Sequence, residues 1–108
     1  MSSSDGFVTV AKRSKLQDPS KQTFEVDGRW VVLVCLDGQV YCLDDVCTHD
    51  GGTLGDGELD HGCLVCPRHG AKFDVKSGDA VAMPATEPTL VHEVRVVEDD
   101  VQVRLRSV

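Results

Sequence analysis

Arg29-Trp30-Val31-Val32-Leu33-Val34-Cys35-Leu36, Asp37-Gly38 and Gln39-Val40-Tyr41-Cys42-Leu43 form the stretch on which the fold class turns. Two apolar runs separated by Asp-Gly predict a β-hairpin, because Asp-Gly favours the primed two-residue turn whose twist matches the flanking strands. With that turn, Leu36 faces Gln39, Cys35 faces Val40 and Leu33 faces Cys42. Cys35 and Cys42 then share a face along a diagonal of roughly 7–8 Å, too long for a disulfide. Both are expected as small buried core residues.

Working outward, Leu90–Val97 and Val101–Leu105 alternate apolar and polar residues on either side of Glu98-Asp99-Asp100, which predicts a second hairpin. Shorter strands are expected at Phe7–Ala11, Thr23–Val26, Cys63–Cys66 and Lys72–Val75. No segment keeps a helical period over three turns, and Lys12–Leu16 offers one short turn before Asp18-Pro19. The class is all-β, and 108 residues make one domain.

Composition narrows the function. Lys and Arg number 11 against 18 Asp and Glu, a formal charge of −7. That balance repels nucleic acid phosphates and anionic membranes, so neither is an expected partner; a basic protein surface is. No apolar run approaches the roughly 20 residues that span a bilayer. Met1-Ser2-Ser3-Ser4-Asp5-Gly6 shows no secretory signal, so the protein is expected to be soluble and cytoplasmic. Five cysteines are an odd number, and disulfides are not expected in that compartment.

The residues that carry chemistry are Cys47-Thr48-His49 and Cys66-Pro67-Arg68-His69-Gly70. Each is a mixed Cys–His pair on a loop between strands, with Gly51, Gly52, Gly55, Gly57 and Gly62 close by. Glycine permits the close backbone approach that a loop wrapping a metal cluster needs. A structural zinc site would pair like with like, as C-x(2–4)-C and H-x(3–5)-H. A [2Fe–2S] cluster with two Cys on one iron and two His on the other takes one of each from either loop, and this reading is preferred.

Cys47-x-His49 followed by Cys66-Pro67-x-His69-Gly70 resembles the Rieske [2Fe–2S] family, and Lys72-Phe73-Asp74, Ser77-Gly78 and Met83-Pro84-Ala85 extend the resemblance along the chain. It implies a Rieske-type antiparallel β-sandwich base with a small cluster-binding subdomain at about Val46–Asp74. One [2Fe–2S] cluster would be held by Cys47 and Cys66 on the buried iron, and by His49 and His69 on the exposed, redox-active one. Pro84 would lie on a third, shielding loop. The length suggests a bacterial Rieske-type ferredoxin.

The departures from the respiratory members of that family concern the potential. Those proteins carry two further cysteines that staple the loops; here the positions hold Gly52 and Arg68. They also place a Ser and a Tyr where this chain has Ala71 and Phe73, which lack a hydroxyl. Fewer donors to sulfur destabilise the reduced cluster, so a potential near the low end of the Rieske range is expected, about −150 mV rather than +300 mV. Electron transfer without a proton at neutral pH is expected as well.

His61 and His92 are not expected to be ligands, His92 being placed at the surface or in a hairpin. Cys63 is assigned to a strand. Asp50, Asp56, Glu58 and Asp60 could dock a partner, and Arg68 could touch one or tune the potential. No nucleophile–base constellation is present, so the chain is read as a monomeric electron carrier rather than an enzyme. Its partners would be an NAD(P)H-dependent flavoprotein reductase and a terminal oxygenase or similar acceptor. A small Rieske-like subunit of nitrite reductase and a zinc-stabilised interaction module are the alternatives.

Overall fold

Asp37 and Gly38 have φ of 52° and 79°, the paired positive values of a primed turn, in the computed structural model, which describes residues 6–46, 53–67, 70–83 and 87–106. The Asp18 carboxylate holds this turn, accepting the Asp37 N–H at 3.0 Å and the Gly38 N–H at 2.6 Å. The register is the expected one: Leu36 faces Gln39, Cys35 faces Val40 and Leu33 faces Cys42.

Ten strands are described: β1 Val8–Lys12, β2 Ser20–Val26, β3 Arg29–Leu36, β4 Gln39–Asp44, β5 Leu59–Asp60, β6 Cys63–Val65, β7 Lys72–Asp74, β8 Ala80–Ala82, β9 Val91–Val97 and β10 Asp100–Arg104. A single 3₁₀ turn, Arg13–Lys15, falls within the expected Lys12–Leu16 segment. All pairings are antiparallel. One sheet has the order β1-β10-β9-β4-β3-β2, the other β5-β6-β7-β8. The second sheet therefore runs on to Ala82, past Asp74.

The apolar run in β3 is explained by burial on both faces. Val31 and Leu33 pack with Cys42, Val26, Val101 and Val103 in a core inside the base. Val32 and Val34 pack with Leu43, Leu54, Leu64, Phe73 and Val75 against the second sheet. Full burial of a Val, Leu or Phe side chain stabilises by about 1.5–3 kcal/mol each, so each core outweighs the marginal stability of an isolated short hairpin. Cys35 and Cys42 are buried as expected, and burial pushes the Cys42 thiol up to about 12.

The second hairpin and His92 differ in detail from the sequence reading, and strands β5 and β8 were not expected from it. The second hairpin turns on Glu98-Asp99 alone. Asp100 belongs to β10, facing Val97 on one side and Lys12 on the other, where it forms an ion pair with the lysine. Asp99 ties the turn to the 3₁₀ segment by accepting the Ser14 N–H at 2.8 Å and the Ser14 hydroxyl at 2.7 Å.

His92 lies in β9 but is not at the surface; it is 3% exposed. Its Nε2–H donates to Asp44 Oδ1 at 2.6 Å, and its Nδ1 accepts the Arg106 N–H at 3.0 Å. Arg29 completes the group, donating to the same Asp44 oxygen at 3.0 Å and to the Arg106 carbonyl at 2.7 Å. This network reinforces the short join between β4 and β9, where Cys42 faces His92 and Leu43 faces Val91.

Burial pushes the His92 imidazole below its ordinary value despite the opposing pull of Asp44. The unfolded chain therefore takes up this proton first. The stabilisation is fully present above the unfolded value of about 6.5 and is lost as pH falls through it towards the folded one. Between about pH 7 and pH 5 the unfolding midpoint of the wild type is expected to fall more steeply than that of His92→Gln. Equal slopes in a calorimetric pH series would contradict this assignment.

Candidate metal centre

Cys66 follows β6 directly, and the β6–β7 ladder continues through it. Leu64 faces Phe73 and Val65 faces Lys72; the Cys66 N–H then donates to Ala71 O at 2.7 Å, and the Gly70 N–H to Cys66 O at 3.0 Å. These bonds turn the chain tightly around Cys66. Its side chain is 1% exposed and packs with Leu64, Ala71 and Phe73, whereas Pro67 and Gly70 lie at the surface. A sulfur donor thus faces inward at the root of a loop that reaches solvent.

The first Cys–His segment leaves and returns at one fixed point. Asp45, at the end of β4, donates its N–H to Trp30 O at 3.0 Å. The Thr89 hydroxyl donates to Val46 O at 3.2 Å, and the Asp45 carboxylate accepts the Gly55 N–H at 2.6 Å. Asp45 is buried, at 8% exposure, so this bond is shielded from water and ties both ends of the loop together.

The return limb is then pressed against the second loop. Gly57 lies so close to β6 that an added Cβ would stand 1.6 Å from Val65 O, and the Val65 N–H donates to Glu58 O at 2.9 Å. Leu54, fully buried, shares the core that contains Cys66. The two loops therefore start side by side, and a recess of about 400 Å³ lies between Asp56–Glu58 and Val65–Pro67.

Of the four residues expected as ligands, Cys66 is described. Cys47, His49 and His69 lie outside the described residues, as do Asp50, Gly52, Arg68 and Pro84. The donor chemistry at Cys66 suits a thiolate ligand, since the sulfur belongs to a buried residue at the foot of the loop. Cys35, Cys42 and Cys63 sit within strands, and burial raises the thiol of each. Among the described residues no group of three or more His, Cys, Asp or Glu side chains is placed to hold a metal.

The other residues singled out from sequence fall as follows. His61 is 95% exposed by its side chain and forms the β5–β6 turn, at the opposite end of that hairpin from Cys66. Asp60 is engaged by Lys72 at 3.0 Å, and Asp56 accepts the Thr53 hydroxyl at 2.7 Å. Ala71 and Phe73 are fully buried, so that side of the loop offers hydrocarbon instead of hydroxyl donors. Gly57 shows the close backbone approach expected of the glycine-rich stretch, whereas Asp45, which ties the ends of the first loop, carries no motif that marks it in the sequence.

The comparisons agree with this architecture. The Rieske [2Fe-2S] domain family matches residues 6–103, and the chain belongs to that family. A 3-phenylpropionate/cinnamic acid dioxygenase ferredoxin subunit from Shigella boydii serotype 4 (strain Sb227) is 32% identical over 81% of this chain and 84% of its own length. The first curated relatives are matched over 62% to 84% of their lengths.

The ferredoxin of carbazole 1,9a-dioxygenase from Nocardioides aromaticivorans IC177 superposes with a TM-score of 0.88 at 28% identity, covering 93% of this chain and 98% of that one. A chain from the complex of reduced oxygenase and oxidised ferredoxin in carbazole 1,9a-dioxygenase gives 0.87 at 31% identity, covering 92% and 93%. The Shigella boydii relative and the Nocardioides chain are named as ferredoxins of dioxygenases, and the complex is named for an oxygenase with its ferredoxin.

Gly57→Ala forces backbone against backbone at Val65 and is expected to cost about 3 kcal/mol or more in denaturant unfolding. Gly62→Ala strains only the left-handed turn beside His61, where nothing lies within 4 Å, and is expected to cost about 1–2 kcal/mol. A Gly57→Ala protein as stable as the wild type would contradict the close approach of the loops.

Proposed function

We propose that this chain is a soluble, monomeric, cytoplasmic electron carrier that holds one [2Fe–2S] cluster through Cys47, His49, Cys66 and His69. It would accept electrons from an NAD(P)H-dependent flavoprotein reductase and pass them to a terminal oxygenase of the aromatic-ring dioxygenase type. The whole of residues 1–108 serves as one domain, with the cluster carried by about 46–74. When bound, the cluster would supply a single one-electron couple.

The observation that carries this reading is the placement of Cys66. Cys66 is buried in the core that also holds Leu64, Ala71 and Phe73, at the root of a surface loop. The residue before it lies against the limb returning from Cys47-Thr48-His49. The chain's part is to shield the thiolates, hold the two loops in register and leave the acceptor side open. The relatives named as dioxygenase ferredoxins support the choice of partner. No described helix is long and apolar enough to cross a membrane.

Anaerobically purified wild-type protein is expected to be red-brown and to contain about two irons and two sulfides per chain. Cys66→Ser is expected to lose the chromophore, while Cys63→Ser keeps it. A colourless, zinc-loaded wild type would contradict the proposal.

Because Ala71 and Phe73 bring no hydroxyl to the site, the midpoint is expected near about −150 mV. It should stay flat with pH between about 6 and 8, around the ordinary histidine value. A clearly positive midpoint in a redox titration would overturn the low-potential assignment.

A further inference from the structure

Trp30 is the sole tryptophan of the chain, and it is 55% exposed. Its position is rigid. It sits in β3 opposite Glu25, and its carbonyl accepts the Asp45 N–H at 3.0 Å. Beside it Val46 is 42% exposed, and the two side chains border a cavity of about 390 Å³ floored by Arg29, Asp44, Asp45 and Thr53. A large indole held open to water on a strand has no folding rationale, because Val32 and Val34 already fill the core on that face of β3.

The patch stands where β4 ends, and Val46 is the residue before Cys47. Its surroundings are largely acidic, in a chain of net charge −7. Glu25 faces Trp30 across the strands, Asp44 and Asp45 line the cavity, and Asp56 accepts the hydroxyl of Thr53 in the cavity wall, while Lys21 donates to Gly55 O. Arg29 lies in the cavity floor but is paired with Asp44. An apolar anchor with an acidic rim matches a partner surface that offers an indole-sized pocket edged by Lys and Arg. Tryptophan is among the residues most enriched at the energetic centres of such interfaces, while rim charges act mainly on encounter.

We infer that Trp30 and Val46 form an anchor by which this carrier docks on its oxygenase acceptor, with Glu25 and Asp56 steering the encounter. This rests on the proposed function and adds to it a docking surface on the base, beside the loops themselves. The indole fills the acceptor's pocket, and the fixed join of Trp30 to Asp45 sets the distance between that pocket and the root of the first loop.

The test uses the cluster-loaded protein with the oxygenase components of the carbazole, naphthalene and 3-phenylpropionate dioxygenases as probes. With any probe the wild type reduces, Trp30→Ala is expected to raise the apparent KM for the carrier about tenfold or more. Its kcat at saturation and its reduction potential should stay unchanged, and Trp30→Phe should recover most of the loss. Fluorescence of the single tryptophan is expected to shift on titration with the same probe.

An unchanged KM, an unshifted fluorescence, or a concentration-dependent dimer that Trp30→Ala abolishes would overturn the anchor while leaving the carrier function intact. A cluster-loaded wild type that reduces none of the probes would overturn the acceptor assignment itself, and the anchor with it.

Discussion

Between Val31 and Cys35, strand β3 has no face left for water, and the architecture follows from that constraint. Val31 and Leu33 close the core of the base, while Val32 and Val34 seat the second sheet through Leu64, Phe73 and Val75. One strand thus belongs to two cores. A one-residue slip would exchange their contents, so the primed turn at Asp37-Gly38, held by Asp18, fixes register for both at once. The second sheet has strands of only two or three residues and is stable because it rests on this shared strand.

The loop geometry inherits that rigidity. Asp45 continues the strand that pairs with β3, and its carboxylate gathers the two ends of the first loop. Gly57 then lets the returning limb touch the backbone at Val65, the residue before Cys66. Neither device is itself a ligand, but together they decide where ligands can stand. The same link between Asp45 and Trp30 gives the surface beside the loop a fixed aromatic landmark, so the site and its proposed docking face share one scaffold.

Much of this was legible in the sequence, for definite reasons. The two long runs around Asp37-Gly38 carry both strand composition and turn chemistry, and their register followed. Asp27-Gly28 and His61-Gly62 adopt the same positive-φ pair. The turn at His61-Gly62 was harder to read because its flanking strands β5 and β6 offer two and three residues, too few to show alternation. Asp100 looked like a turn residue by composition, and its pairing with Val97 and Lys12 could be seen only once β1 was in place.

His92 looked like a strand-surface histidine because its partner Asp44 is remote in the chain. The Cys–His motifs stand out in the sequence by their spacing, and of their four expected ligands Cys66 is described. The role of Asp45 was not legible, since it depends on a contact with Gly55 that no local pattern encodes, whereas Gly57 stood in the glycine-rich stretch from which close backbone approach was expected.

The central claim is that two cysteines and two histidines, drawn from two loops held together by the base, bind one cluster. Pulsed electron paramagnetic resonance on reduced protein, prepared with and without ¹⁵N-histidine, tests it directly. The account predicts hyperfine coupling from two imidazole nitrogens, with one removed in His49→Cys and one in His69→Cys where cluster is retained. A cluster signal with no histidine nitrogen coupling, indicating all-sulfur ligation, would contradict it.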